Sequence, residues 1–490
     1  MPGGARLLWG HELDVFKAPV GSKHSRWFKE CGPAYRLKGA LFHSDILVIS
    51  DRIAINHMLT TKVYTYEKAP PARPIIERLV GHGIIWAEGE QHKRFRRLMD
   101  TVFSAASTKQ MTPDVLNVSA RLVTRLSQYL QDNNGDAVIN MVHWTSSATL
   151  DIIGFVGFGY DFGLGESDEA KEIIGAWADM VKAGLSEMTF FAEVVLRAFP
   201  FLLSLPLEAL EAQSKIKKIC DKLARKLIDN AQWDTASSGN KGPSFNFLGL
   251  MMRASGEGRM TTQETIDNLA SLVMAGYSTT AGTLDFLLYE LARSPERQQK
   301  LRDELLAFGR EPSYDDLMNP DRLPYLDAVV KEGIRMYPAA VHNARITTED
   351  DVLPLGTPVR MPSGEVIREL HLPAGQIVYM PHMSIQTLEG LWKDGETFMP
   401  ERWLEPGGLA PKENLQIGWS NLLSFNAGPR QCLGYRLALL EAKASRIPVP
   451  NTGQPTPAEV RKRVVAVLVP TVAGEEHKGT QMPLRVTLIH

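Results

Sequence analysis

Cysteine is scarce in this 490-residue chain, which carries only Cys31, Cys220 and Cys432. Far apart and odd in number, they argue against a disulfide framework, point to a reducing compartment and leave no CxxC pair for zinc. Long apolar runs are missing as well. No stretch reaches the roughly 18 apolar residues that a spanning helix needs, and the short apolar start at Met1 is soon broken by His11, Glu12 and Asp14, so no anchor or signal segment is expected. Charge of one sign is also lacking. Lys and Arg number 54 against 56 Asp and Glu, a formal net charge of -2, which gives no basis for an electrostatic grip on nucleic acid or for a polybasic membrane tail. There is no internal repeat. The length admits two or three average domains or one large one.

What is present is mostly helical in pattern. Tyr35, Leu37, Ile46 and Val48, set among turn residues, predict short strands near the N-terminus. From Gly89 to Phe103 the apolar residues Phe95, Leu98, Met99 and Val102 recur at helical spacing, which puts His92 and Arg96 together on another face. That face fits either a clamp for carboxylates or a solvated basic surface. Helical runs at about 114–132 and 170–184 lead into Met188 to Leu210, the nearest approach to a membrane segment. Pro200, Pro206, Glu193, Arg197 and Glu208 interrupt it, so it reads as two short core helices or as a monotopic membrane contact. Gln232 to Asn246 is rich in Ser, Gly and Asn and predicts an exposed loop.

Thr261, Thr262, Gln263 and Glu264 fit a capping box, after which no proline intervenes before Pro295, predicting one helix across the whole domain. At its middle, Ala275 and Gly276 are small enough for a flat ligand, or a neighbouring helix, to approach the backbone. Ser278 and Thr279 offer hydroxyls to a ligand in place of the helix's own carbonyls. Glu332 and Arg335 share a helix face that Pro338 ends, a spacing that usually gives a weak surface ion pair. Residues 344–381 alternate and turn, predicting a small β-rich region.

The most informative stretch is Phe425 to Gly434, FNAGPRQCLG. Two glycines and a proline bracket one cysteine, so the backbone turns sharply and can approach a flat partner, with amide N–H groups free to stabilise a thiolate and Arg430 available to an acidic group. A lone cysteine is otherwise a small buried hydrophobe. These ten residues resemble the haem-binding signature of the cytochrome P450 family, Phe-x-x-Gly-x-Arg-x-Cys-x-Gly, through Phe425, Gly428, Arg430, Cys432 and Gly434. Ala275 to Thr280 resembles the family's oxygen-binding helix, Glu332 with Arg335 its Glu-x-x-Arg motif, and Phe398 to Trp403 the segment whose arginine, here Arg402, completes a buried structural triad.

The resemblance, most like fungal microsomal-type members, implies one mainly α domain over 1–490 with small β regions around a buried haem b. It implies Cys432 as the axial iron ligand, and His92, Arg96, Arg345 and Arg430 as contacts of the haem propionates. Thr279 would hydrogen-bond bound oxygen and hold water for proton delivery, while Ser278 stands where the family has an acid. Met274, Tyr277, Ala339 to His342 (including Val341) and 71–85 fall at substrate-pocket positions. The implied reaction is insertion of one oxygen atom from O2 into a lipophilic small molecule, such as a terpenoid, polyketide, steroid, fatty acid or aromatic xenobiotic, in secondary metabolism or detoxification. With no flavin or nicotinamide fingerprint in the chain, electrons from NADPH would come through NADPH-cytochrome P450 reductase, a separate flavoprotein. A monomer on the cytosolic face of the endoplasmic reticulum membrane, touching it through 188–210, is expected.

One region departs from the family pattern. Gly434 to Ser445 reads as a helix, but Ile447 to Gly453 stops it early and the polar Gln454 to Pro457 precedes Val464 to Val469, making 446–463 an atypical segment. Two alternatives follow: a non-catalytic relative that binds haem weakly, or a haem-thiolate isomerase or dehydratase that needs no external electrons.

Overall fold

The computed structural model describes residues 1–488 apart from 42, 71, 200–201, 203–207, 238–246, 250–259, 362, 406–416 and 445–458. Helices dominate: α1 Glu12–Lys17, α2 Ser22–Cys31, α3 Arg52–Asn56, α4 Ala72–Val80, α5 Gly89–Asp100, α6 Ala105–Asp132, α7 Met141–Phe158 and α8 Asp168–Gly184 come first. They continue as α9 Glu187–Ala198, α10 Glu208–Ser237, α11 Thr262–Arg293, α12 Pro295–Phe308, α13 Tyr314–Met318, α14 Pro324–Met336, α15 His382–Thr387 and α16 Tyr435–Ala444. The strands are β1 Ala34–Leu37, β2 Ile46–Ile49, β3 Tyr66–Lys68, β4 Asp136–Asn140, β5 Asn343–Thr347, β6 Asp351–Arg360, β7 Val366–Leu372, β8 Ile377–Met380, β9 Val460–Val465, β10 Val467–Val472 and β11 Pro483–Thr487. This is the mainly α architecture with small β regions that the sequence predicts.

Helix α11 is the axle. Thr261 and Glu264 cap it reciprocally, Thr261 N–H donating to the Glu264 carboxylate at 2.9 Å and Glu264 N–H to the Thr261 hydroxyl at 3.2 Å. Its 32 residues span about 48 Å, and α7, α10, α14, α16 and β10 pack around it. The closest partner is α7, and Gly276 makes that approach possible: a β-carbon there would lie 2.8 Å from Cδ1 of Ile153. The small residue at 276 therefore serves helix packing.

Two helix boundaries differ from the pattern reading. α6 begins at Ala105, not near 114, because the Ser104 side chain caps it and Pro113 sits on its exposed side, where a lost backbone bond is met by water. α10 runs through Ser237, so Gln232 to Ser237 is helical and not loop; the rest of that predicted loop lies outside the described residues. Ser and Thr near a helix end lower its propensity only slightly, too little to stop a long helix already propagating.

The main sheet has the order β1-β2-β8-β5-β3, taking three strands from the first 68 residues and two from the β-rich stretch after α14. β8 runs parallel to β2 and antiparallel to β5, and β5 pairs antiparallel with β3 so that Lys68 stands opposite Arg345. Near the C-terminus Val464 to Val469 is not one strand but the bend of the β9–β10 hairpin, reversed at Ala466 with φ 57°. Of the atypical segment 446–463, only Glu459 onward is among the described residues.

Candidate active site

The loop 425–434 is wound by its own backbone. Cys432 N–H donates to the Phe425 carbonyl at 2.8 Å, Gln431 N–H to the Gly428 carbonyl at 2.9 Å, and Gly428–Arg430 forms a 3-10 turn. Gly428 has φ 61°, and a β-carbon there would overlap the Leu59 carbonyl oxygen. Its smallness thus seats the loop on the turn at His57–Thr61 rather than opening room for a planar partner. Around Gly434 the space is freer, the nearest atom to a β-carbon being Phe103 Cε1 at 3.8 Å.

Cys432 is accessible, yet protein surrounds it on every side, so its thiol lines an internal cavity rather than the outer surface. Burial pushes that thiol up, while the Gly434 N–H on its sulfur and the charge of Arg96 work against the rise. Arg96 is fixed by the Gln431 carbonyl and by Asp100 at 2.8 Å.

Beside the loop lies a buried cluster of charge. Arg430 meets the Glu88 carboxylate and donates to the Ala87 carbonyl at 3.1 Å. Lys68 donates to Glu88 at 2.7 Å and to the Ala87 carbonyl at 3.0 Å. Arg345, on β5, is held more loosely, its Nη1 3.9 Å from Glu88. His92 is buried, its Nδ1 3.1 Å from the Tyr64 hydroxyl, and burial together with the charges of Arg430 and Lys68 pushes its pKa down to about 3. At neutral pH it is an uncharged imidazole. Sequence reasoning missed Lys68, Glu88 and Tyr64, since an ordinary charged residue at a strand end or before a helix carries no pattern.

On α11 the open face is the stripe Ala275, Thr279 and Thr283, of which Ala275 is exposed and the threonines half-buried. The hydroxyl protons are already engaged, Thr279 donating to the Ala275 carbonyl at 2.6 Å and Thr283 to the Thr279 carbonyl at 3.0 Å. With its proton so engaged, the Thr279 hydroxyl leaves its oxygen an acceptor on the open face. Ser278 is buried off that face and donates to the Met274 carbonyl at 2.9 Å, so the position expected to replace the acid does not open on the cavity. Tyr277 lies on the opposite face, edge-on to Trp177 at 6.1 Å, with its carbonyl accepting from Thr149 at 3.1 Å. Met274 is likewise core. Three apart, Met274 and Tyr277 share one face of α11, and it is the face turned away from the stripe Ala275, Thr279 and Thr283.

Elsewhere the expected groups converge. Glu332 accepts from Arg335 Nε at 2.9 Å and Nη2 at 2.8 Å, from Arg402 Nε at 3.0 Å, from Met399 N–H at 2.8 Å and from Trp403 Nε1 at 2.9 Å. All three charged groups are buried, so the surface reading of this pair fails. Burial pushes the Glu332 carboxyl up, but the bonds and charges of Arg335 and Arg402 outweigh it and hold the group below its usual range. After α14, Val341 is buried and Ala339 half-buried, its carbonyl accepting from Leu468 N–H at 2.9 Å. His342 is accessible yet fully enclosed, stacked on Tyr379 at 4.7 Å, and burial lowers its pKa to about 4. The stretch before α5 is tied to α11, with His82 N–H on Asp267 and Ile84 N–H on Asn268, both at 2.8 Å; Pro71 lies outside the described residues.

An accessible thiol on a tight loop, a buried excess of cations and a helix open along one stripe define a mainly α protein with an interior site suited to an anionic ligand. A sequence model described as Cytochrome P450 matches residues 2–445, stopping where the atypical segment begins. The chain is 33% identical over 488 residues to cytochrome P450 monooxygenase claP of Ampulloclitocybe clavipes, covering 95% of this chain and 88% of that one. It is 32% identical to claO of the same fungus, over 99% and 92% of the two chains, and 28% identical to cytochrome P450 monooxygenase 205 of Postia placenta, over 100% and 92%. The chain belongs to the cytochrome P450 family. It is accordingly a monooxygenase that works with thiolate-ligated haem iron.

The residues fit that group. Among the described residues, Arg345 Nε and Nη1 and Arg430 Nε are buried without a hydrogen-bond partner, as expected of donors meant for an anion. Among the described residues, Lys68, Arg345 and Arg430 face a single carboxylate, an excess of two positive charges, which matches the two propionates of haem b.

Proposed function

We propose that the Cys432 thiolate would hold the iron of a haem b at the site flanked by the loop 425–434 and the open stripe of α11, and that the enzyme inserts one oxygen atom from O2 into a lipophilic small molecule. The observation that carries this is an accessible thiol in the interior with the Gly434 N–H on its sulfur. The bound haem supplies oxygen activation, which the thiolate's electron donation favours. Arg345, Arg430 and His92 would hold its carboxylates, and Arg96 secures the loop through Gln431. Thr279, an acceptor on the open face, holds a water from which a proton is delivered; Ser278 does not reach that side.

The substrate lies along Ala275, Thr279 and the 339–342 turn, where His342 is the accessible polar group. Electrons come from NADPH through NADPH-cytochrome P450 reductase, and the enzyme acts as a monomer at the cytosolic face of the endoplasmic reticulum membrane. Among the described residues no helix is long and apolar enough to cross a membrane. A peripheral contact is supported by Phe190 and Val194 of α9 packed on Leu13 and Trp9, with Leu7, Leu8, Met188 and Phe199 exposed nearby in sequence.

The test is the absorption spectrum of reduced protein with carbon monoxide, followed by a screen of lipophilic compounds with reductase and NADPH. A thiolate-type carbonyl band that vanishes in Cys432→Ala, with oxygenated products that require NADPH, is the expected result. Loss of the requirement for electrons would favour the isomerase or dehydratase reading.

A further inference from the structure

Lys68 and Arg345 are register partners across the β3–β5 pairing. Like charges directly opposite on neighbouring strands repel, and the loop 425–434 adds a third cation, Arg430, to the same spot. All three side chains are nearly out of water, 15%, 7% and 4% exposed, where repulsion is weakly screened. Among the described residues, a single carboxylate answers them. Glu88, the N-cap residue of α5, sets one oxygen 2.7 Å from Lys68 Nζ and 3.9 Å from Arg345 Nη1, and the other against Arg430 Nη2. Lys68 and Arg430 further converge on the Ala87 carbonyl. Residues 87–88 thereby tie β3, β5 and the ligand loop to the start of α5.

We propose that Glu88 is a resident counter-ion that keeps this cation trio assembled whether or not the haem propionates are in place, and that Glu88 and Lys68 together tune the reduction potential of the haem iron. The proposal rests on the reading that haem ligated by Cys432 occupies this site. Without Glu88 three like charges would share a buried space before any cofactor arrived, a costly arrangement. With it, the excess is two positive charges, the number that two propionates neutralise. The balance is then set by protein side chains that touch neither iron nor sulfur. Removing the carboxylate leaves one more positive charge beside the cofactor and favours the reduced, more electron-rich iron; removing the lysine does the opposite.

The experiment is a spectroelectrochemical titration of holoprotein carrying Glu88→Gln, Lys68→Met or both, with Glu88→Asp and Lys68→Arg as charge-preserving companions, and with haem transfer to an acceptor globin as a second measurement. Glu88→Gln should raise the midpoint and Lys68→Met should lower it, each changing the ferrous to ferric ratio at fixed potential by about threefold to tenfold, tenfold being 59 mV for a one-electron couple. The double variant should return close to the parent, the charge-preserving variants should stay there, and Lys68→Met should release haem several-fold faster. Midpoints that stay put, or that move in the same direction in both single variants, overturn the proposal and leave Glu88 an ordinary structural ion pair. A Soret band unchanged in Cys432→Ala would overturn the reading of the site itself, whereas unmoved midpoints in a protein whose band depends on Cys432 overturn this proposal alone.

Discussion

Arg402 and Arg335 share one oxygen of Glu332, at 3.0 Å and 2.8 Å, in a pocket where none of the three groups meets water. Removing the shared anion leaves two buried guanidinium groups facing each other. Glu332→Ala should therefore lose about 3–5 kcal/mol, the usual cost of breaking a buried pair from one side, and accumulate as insoluble, cofactor-free chain. Urea unfolding of whatever soluble fraction remains checks the loss; a change below about 1 kcal/mol would mean that water reaches the site.

Thr279 and Ser278 separate chemistry from packing. Only Thr279 stands on the open stripe of α11, so Thr279→Ala should lower product formed per NADPH consumed several-fold and divert electrons to peroxide. Ser278→Ala removes a bond to the Met274 carbonyl in the core and should leave that ratio within about twofold, with at most a small stability change on the scale of one hydrogen bond. Coupling measured with any turned-over substrate decides it.

Asp285 links stability to pH. Fully buried on α11 and hydrogen-bonded by the Thr145 hydroxyl at 2.7 Å, its carboxyl is pushed from 3.8 to about 7 by burial. The folded state keeps a proton that the unfolded chain releases between those values, so this group's contribution is full below about 4, falls as pH rises towards about 7, and is flat beyond. Asp285→Asn should abolish that fall, making the variant the more stable protein at pH 8 by about 1–3 kcal/mol with the gap closing towards pH 5. Denaturant midpoints across that range provide the measurement.

Gly428 tests the seating of the ligand loop. Its φ of 61° and the Leu59 carbonyl beside it leave no room for a methyl group. Gly428→Ala should cost about 2 kcal/mol or more and weaken haem retention, read as a smaller ratio of Soret to protein absorbance after dialysis.

Much of this architecture was legible as pattern. The capping box and proline-free run fixed α11 almost to the residue, and the spacing around Cys432 located the loop, because both are local: a few neighbouring residues dictate the backbone. What could not be read was which side of a helix each residue presents. Tyr277 and Ser278 sit within a motif whose neighbours face the cavity, yet they turn to Trp177 and to the core, a matter decided by α7 and α8 packing around them. Lys68 and Glu88 were invisible for another reason. Their importance comes from β-register and from a loop far along the chain, and nothing in the tripeptides around them records it.

The separation of Glu88 from its partners also orders events during synthesis. Lys68 precedes it by 20 positions, whereas Arg430 follows it by 342. At about 5–20 residues per second, the ribosome delivers the last cation roughly 20–70 s after the carboxylate, and only then can the pocket close. Haem loading must accordingly await synthesis of the ligand loop, and a chain stalled short of Arg430 should neither close this pocket nor retain the cofactor.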